Sequence, residues 1–388
     1  MKIVVVNLAY DADAVGADAL LSRYHSLTEW CEALAAAGMD VTAVQRFHTD
    51  AAFARGGVEY RFYDDASVGD PRPPLWSAAC QRLVTGAEAD LVHVNGLGFP
   101  AQTWVLRRAL PARTAIVVQD HAGGEPSALG ISPAKAFGRF ARRRLMRAAD
   151  GFLFTSTAQA ESWRRAGLIH PRQPIYQVLE ASTGLKPVWR AVARQQTNVD
   201  GDPAVLWVGR LNANKDPLTV IDGFERCLER LPAATLSMIY GADDLLPVVR
   251  DRLERSLALA ARVRLLGRIA HDRMAAFYSA ADLFVAGSHH EGSGYALIEA
   301  CACGVSPVVT DIPAFRVITG QGAIGALWPP GDARALADAL VRVAAERGAD
   351  ARKRVLERFE RELSWRAVAK SAADAYADLC AGRSGKTA

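Results

Sequence analysis

Glu291 and Glu299 stand with seven residues between them in the stretch S-H-H-E-G-S-G-Y-A-L-I-E-A-C-A-C-G-V-S-P-V-V-T-D, Ser288 to Asp311. A hydrophobic strand, Leu283 to Ala286, leads into it, and glycines at 292 and 294 open a loop. A helical run follows, closed by Gly304, and the chain re-enters a strand at Val305 to Val309. The spacing puts Glu291 at the helix mouth and Glu299 about two turns along. A strand, a glycine loop and a helix offer free backbone N–H groups and the positive helix end to an anion such as a phosphate. Two carboxylates would repel that phosphate, so they suit neutral hydroxyls on either side of it, a sugar at one end and a ribose at the other. A nucleotide sugar has that outline.

Two cations fit the same scheme. Val208-Gly209-Arg210-Leu211-Asn212-Ala213-Asn214-Lys215-Asp216 follows another strand. There Arg210, by its fork, and Lys215, as a point charge, could neutralise a diphosphate leaving group. The competing reading is a solvated loop with unrelated surface charges. His121 ends a strand earlier in the chain, where it could hydrogen-bond a bound sugar or act as acid or base; a lone histidine is otherwise structural or exposed. His289 and His290 suggest a metal, but no H-E-x-x-H spacing exists and adjacent side chains diverge. Cys301-x-Cys303 has no matching Cys/His pair elsewhere and reads as small packed residues on the helix. Gly96-Leu97-Gly98-Phe99-Pro100-Ala101 satisfies a dinucleotide-binding fingerprint, with Asp120 as its ribose acid and NAD as the implied ligand. Such a fingerprint belongs on the first strand of its fold, whereas this one comes late, and Pro100 constrains the turn.

The elements that position these groups are legible as two series of strands. The first comprises Lys2–Asn7, Val41–Val44, Val58–Tyr63, Asp90–Gly96, Ala115–His121, Gly151–Thr155 and Ile175–Leu179, with a helix expected over Ala19–Ala37. The second comprises Ala204–Gly209, Ala234–Tyr240, Val263–Leu266, Leu283–Ala286, Val305–Val309 and Ala326–Trp328. Strands alternating with helical segments predict doubly wound α/β sheets whose ligands sit at the carboxyl ends of the strands. The polar stretch 186–203 reads as a linker. The expected organisation is therefore a first domain over 1–185, the linker, a second domain over 204–364, and a tail helix with an apolar stripe within 365–388. The segment Lys135–Ala148 is strongly basic, with Phe137, Phe140, Ala141, Leu145 and Ala148 on one helical face. It either packs into its domain with its arginines in water or makes peripheral membrane contact.

Composition bounds the rest. At 388 residues, two domains is the default, and half the residues are apolar. A net charge of +4 does not argue for nucleic acid. Cys31, Cys80, Cys227, Cys301, Cys303 and Cys380 lack framework spacing and are expected as thiols in a reducing cytoplasm. The N-terminus turns polar too soon for a signal peptide, and no apolar run reaches spanning length. The expected location is cytoplasmic, with peripheral contact at the inner membrane face as the alternative.

Taken together the motifs resemble the retaining glycosyltransferases of family 4, most strongly from Val205 to Asp332. The matching pieces are Gly209, Arg210 and Lys215; Leu265 to Arg268; Glu291 and Glu299; the E-A-x-A-x-G-x-x-P-V-V-x-x-D run; and Pro329 to Asp332. The resemblance implies the GT-B fold: two Rossmann-like domains facing across a cleft, with the C-terminal helix crossing back to the first. By the same likeness Arg210 and Lys215 bind the donor diphosphate, Glu299 the ribose and Glu291 the donor sugar. Gly292, Ser293, Gly294, Tyr295 and Ala296 help hold phosphate and sugar, Gly267, Arg268 and Ile269 face the base, and His121 lies near the reacting carbon. Gly16, Asn95 and Gly96 fall on the acceptor side. The implied reaction is front-face transfer of a hexose from a nucleoside-diphosphate sugar to a carbohydrate, lipid-linked or small-molecule acceptor. UDP-hexose is the default donor and GDP-mannose the alternative, and no metal or other cofactor is needed. An epimerase on the same fold and a non-catalytic nucleotide-sugar-binding protein are the competing readings. Three positions depart from the family pattern: the first loop holds only Gly16, Ser293 replaces a phenylalanine, and Pro313–Val317 lacks a glutamate.

Overall fold

Short runs of Val, Ile, Leu and Phe buried on both faces pair in parallel, and in the computed structural model they build two sheets. The structure describes residues 1–65, 73–121, 123, 126 and 133–384. The chain divides into two units, Met1–Ala181 with Trp365–Ala388, and Ser182–Ser364.

The first unit carries β1 (Lys2–Asn7), β2 (Asp40–Phe47), β3 (Ala51–Arg55), β4 (Val58–Asp64), β5 (Leu91–Asn95), β6 (Ala115–Gln119), β7 (Gly151–Phe154) and β8 (Ile175–Gln177). Their order is β3-β4-β2-β1-β5-β6-β7-β8, and only β3 runs antiparallel, on β4. The sheet's direction of winding reverses between β1 and β5, so the ends of those strands, Asn7 and Asn95, mark its switch point. The Trp365–Ser384 helix belongs to this unit. Its buried stripe, Val368, Ala369, Ala372, Ala375, Tyr376 and Leu379, follows the spacing of the sequence. Trp365 Nε1 donates to Glu29 Oε2 at 2.7 Å, and the Tyr376 hydroxyl lies 2.6 Å from His93 Nδ1. Burial, with nearby His121 adding to it, pushes the His93 pKa down to about 3.

The second unit carries β9 (Ala204–Gly209), β10 (Thr235–Tyr240), β11 (Val263–Gly267), β12 (Leu283–Ala286), β13 (Ser306–Thr310) and β14 (Ala326–Trp328). All pair in parallel in the order β11-β10-β9-β12-β13-β14, the doubly wound arrangement, with its switch point between β9 and β12. Trp207, Val285, Phe224, Trp328 and Leu336 are among the side chains of its core.

Three expectations need correction, and one strand adds to the expected series. The stretch 186–203 is no linker: Arg190–Thr197 is a helix of the second unit, packed on the Met274–Ala280 helix. Its buried face is only Ala193 and Thr197, one turn apart, which a composition reading cannot see. Arg194 fixes it by donating to the Ala280 carbonyl and pairing with Asp282 at 3.1 Å. The helix expected over Ala19–Ala37 is broken at Tyr24 into Ala17–Arg23 and His25–Ala36. β3 was not anticipated, and Gly56 and Gly57, both at positive φ, turn it back onto β4. On the basic helix, Phe140 faces solvent instead of the core. The side chains of Lys135 and Phe137 lie outside the described residues.

Candidate functional site

Both cations and the first carboxylate of the sequence reading sit at the second sheet's switch point. β9 ends at Gly209 and delivers the loop with Arg210 and Lys215; its neighbour β12 ends at Ala286 and delivers the loop with Glu291. Open α/β sheets bind ligands at this place because the two loops part there and leave a crevice.

The two loops are fastened together. Asn214 does most of this, accepting from His289 N at its carbonyl (2.9 Å) and from His290 N at Oδ1 (3.0 Å), while Nδ2 donates to the His290 carbonyl (3.0 Å). Gly287 permits the close approach. A Cβ there would lie 2.9 Å from Val220 Cγ2 and 3.1 Å from the Asp216 carbonyl oxygen. Asp216 caps the Pro217–Cys227 helix through Oδ1 and meets His289 Nε2 at 3.1 Å through Oδ2. His289 is thereby a loop fastener, a role the sequence did not indicate.

Within this frame Lys215 Nζ is paired directly with Glu291 Oε1, and Ser288 Oγ donates to the same oxygen at 2.7 Å. Arg210 is exposed, with no ion pair or side-chain hydrogen bond among the described residues. The next helix, Tyr295–Ala302, starts at Gly294, whose φ of 63° is left-handed. A Cβ there would lie 2.8 Å from Ile318 Cδ1 and 3.1 Å from the Phe315 ring. No side chain caps this helix, so its first turn presents backbone N–H groups, Ala296 among them, to an anion. Gly292 and Ser293 are half-buried in the loop before it.

Glu299 is buried inside that helix and held at both oxygens. Tyr278 donates its hydroxyl to Oε2 at 2.8 Å, and His271 Nε2 lies 2.7 Å from Oε1. Burial and the adjacent carboxylate hold the Tyr278 phenol well above its usual range, so it stays a donor. A carboxylate has about four lone-pair sites, which leaves Glu299 acceptor capacity beyond these two bonds. His271 follows Gly267, Arg268 and Ile269 at the end of β11, so its bond to Glu299 ties that segment to the same rim. Gly267 takes φ 67° with nothing near its Cβ position, and Arg268 is exposed.

In the second half of the E-A-x-A motif, Cys301 and Cys303 are buried thiols pushed up to about 12 by that burial. All six cysteines are free, five buried and Cys380 half-buried. Asp332 of P-P-G-D caps the Ala333–Ala345 helix, accepting from Arg334 N and Ala335 N. Arg316 grips Asp311 with two hydrogen bonds in the segment without the family glutamate.

His121 belongs to the first unit, where its Nδ1 lies 3.0 Å from Oε2 of Glu180, a buried carboxylate the sequence did not single out. Asn95 and Gly96 sit at that sheet's switch point, with Asn95 Nδ2 3.5 Å from Asn7 Oδ1 and Gly96 at φ 112°. Gly16 precedes the Ala17–Arg23 helix at φ 86°. The glycine fingerprint at Gly96 follows β5 rather than β1, and Asp120 there spends Oδ2 on Gly123 N at 3.1 Å.

Two family models match the chain. A glycosyl transferase 4-like domain matches residues 25–176, and glycosyl transferases group 1 matches residues 190–360. The chain belongs to the family 4, group 1 glycosyltransferases with the GT-B fold. It is 37% identical over 128 residues to mannosylfructose-phosphate synthase of Agrobacterium fabrum, covering 31% of this chain and 28% of that protein. It is 30% identical over 222 residues to D-inositol 3-phosphate glycosyltransferase 2 of Catenulispora acidiphila, covering 51% of each. The chain thus spans about half or less of these relatives' length. Anabaena HepE, solved with UDP and glucose, superposes with a TM-score of 0.68 at 18% identity over 97% of this chain and 100% of that one, a likeness of fold.

Proposed function

We propose that the protein is a retaining glycosyltransferase that moves a hexose from a nucleoside-diphosphate sugar to an acceptor hydroxyl. The observation that carries this is the contact between Lys215 and Glu291 at the switch point, beside the uncapped helix that holds Glu299. In this reading the donor diphosphate lies against the first turn of the Tyr295–Ala302 helix, with Lys215 and Arg210 as its counter-charges. Glu299 accepts from the ribose hydroxyls and Glu291 from the sugar. The acceptor oxygen bonds to the anomeric carbon on the face from which the diphosphate departs with its electron pair. The acceptor's proton passes to a departing phosphate oxygen. Preorganised cations at a leaving group commonly account for factors of about a hundred to a thousand in rate. They supply that stabilisation here without a metal.

UDP is the first donor nucleotide to test, because the structural neighbour HepE was solved with it. Thermal unfolding with UDP, GDP, ADP or NAD tests the reading. A ligand at a hundred times its dissociation constant stabilises by about 2.7 kcal/mol, a readable shift. A shift with one nucleoside diphosphate and none with NAD is expected. A shift with NAD alone would overturn the assignment.

A further inference from the structure

Two neighbouring helices of the first unit, Pro100–Ala109 after β5 and Pro133–Met146 after β6, pack against each other and turn unusual faces outward. On the first, Trp104 and Arg108 stand one turn apart, the guanidinium 5.1 Å from the ring centre. On the second, Phe140 and Arg144 stand one turn apart and are exposed, and exposed Arg147 follows in the turn that ends the helix, whereas Arg143 is engaged by the Ala166 carbonyl at 2.9 Å. Phe140 is 61% exposed and Trp104 39%. Neither helix contains an aspartate or glutamate, nor does the segment 110–114 that follows the first. The nearby Asp150 is already engaged by Arg383 at 2.6 Å and by the Ile116 amide at 2.8 Å. Arg108, Arg144 and Arg147 make no ion pair among the described residues.

The helices do not need this face for their own packing. Arg142, on the opposite side, lies 5.3 Å over the Trp163 ring, and Met146 and Ala148 enter the core. At the upper end Gln102 Nε2 binds the carbonyls of Pro73 and Pro74, holding a loop whose next residues, Leu75 and Trp76, are also exposed. The face therefore combines uncompensated arginines with aromatic rings standing among them. Single-stranded nucleic acid asks for a basic groove that tracks the backbone, whereas these are outward helix faces. An anionic lipid surface asks for arginines at headgroup level and aromatic side chains that enter the interface.

We propose that this face docks the protein on an anionic bilayer surface. The arginines engage the headgroup charge, and Trp104 and Phe140 seat in the interface. The inference is independent of the donor-sugar reading, since none of these residues lies in the second unit.

The test is sedimentation of the full chain with vesicles of phosphatidylcholine alone or of phosphatidylcholine with phosphatidylglycerol, at low and raised salt. The expected result is binding only to the phosphatidylglycerol vesicles, weakening with salt. Arg144→Ser and Arg147→Ser should each reduce the partition coefficient roughly fivefold. Trp104→Ser and Phe140→Ser should lower it as well. Arg144→Ser, Arg147→Ser and Phe140→Ser should keep the wild-type melting temperature, because those side chains are largely exposed. Failure to bind phosphatidylglycerol vesicles, or binding unchanged in all four variants, overturns the proposal. So does tighter retention on single-stranded DNA than on the vesicles.

Discussion

Lys215 and Glu291 lie 76 positions apart in the chain, yet the ammonium and the carboxylate are in direct contact across two strand-end loops. The contact follows from topology. β9 and β12 are neighbours only because the sheet reverses its winding between them, and their loops are then fastened by Asn214 and brought close by Gly287. Glu291 orients the lysine, and Ser288 orients Glu291. In the proposed reaction this places one positive charge at a fixed point beside an uncapped helix.

Lys215→Ala should therefore lower the turnover of donor about a hundredfold or more while leaving nucleoside affinity within a few-fold. The measurement is kcat for release of the nucleoside diphosphate together with its binding constant. Equal losses in both would assign Lys215 to ground-state binding instead.

Glu299→Ala should act on the donor's affinity. The residue is buried, and its removal strips acceptors from Tyr278 and His271 and, in the proposed reading, from the ribose, each lost bond costing about 1–3 kcal/mol. Binding of UDP should weaken by an order of magnitude or more, and binding of free pyrophosphate much less. If UDP binds the variant as it binds the wild type, the ribose role is wrong.

His93 gives the protein an acid-side weakness. Its folded-state pKa of about 3 lies below the ordinary 6.5, so the unfolded chain takes up the proton first. This group's stabilising effect is thus intact above pH about 6.5 and is lost as pH falls toward about 3, by roughly 1.4 kcal/mol per pH unit. His93 is fully buried against the Tyr376 hydroxyl and the Trp30 ring, with His121 also near. His93→Gln should flatten the dependence of the urea midpoint between pH about 7 and 5. An unchanged slope would place the acid sensitivity elsewhere.

How legible each feature was depended on its range in the chain. Runs such as Lys2–Asn7 and Ala204–Gly209 announce buried parallel strands because their apolar character is continuous, and the glycine at 294 announces its turn. The carboxylate and cation motifs could be read because each lies within one segment. What could not be read was pairing between segments. Tyr278 and His271 reach Glu299 from 21 and 28 positions away, and Glu180 stands beside His121 only through the order β6-β7-β8. Gly287 looks like any strand-end glycine until a second loop is seen against it. The Arg190–Thr197 helix was hidden for a related reason, since its stability comes from contacts with Ala280 and Asp282 rather than from its own pattern.

The most direct measurement is proton NMR of UDP-glucose turnover with water as the acceptor, followed before the released sugar mutarotates. UDP and α-glucose should appear together, with the signal reduced about a hundredfold or more in Lys215→Ala. β-Glucose as the first product, or an equal rate in the variant, would contradict it.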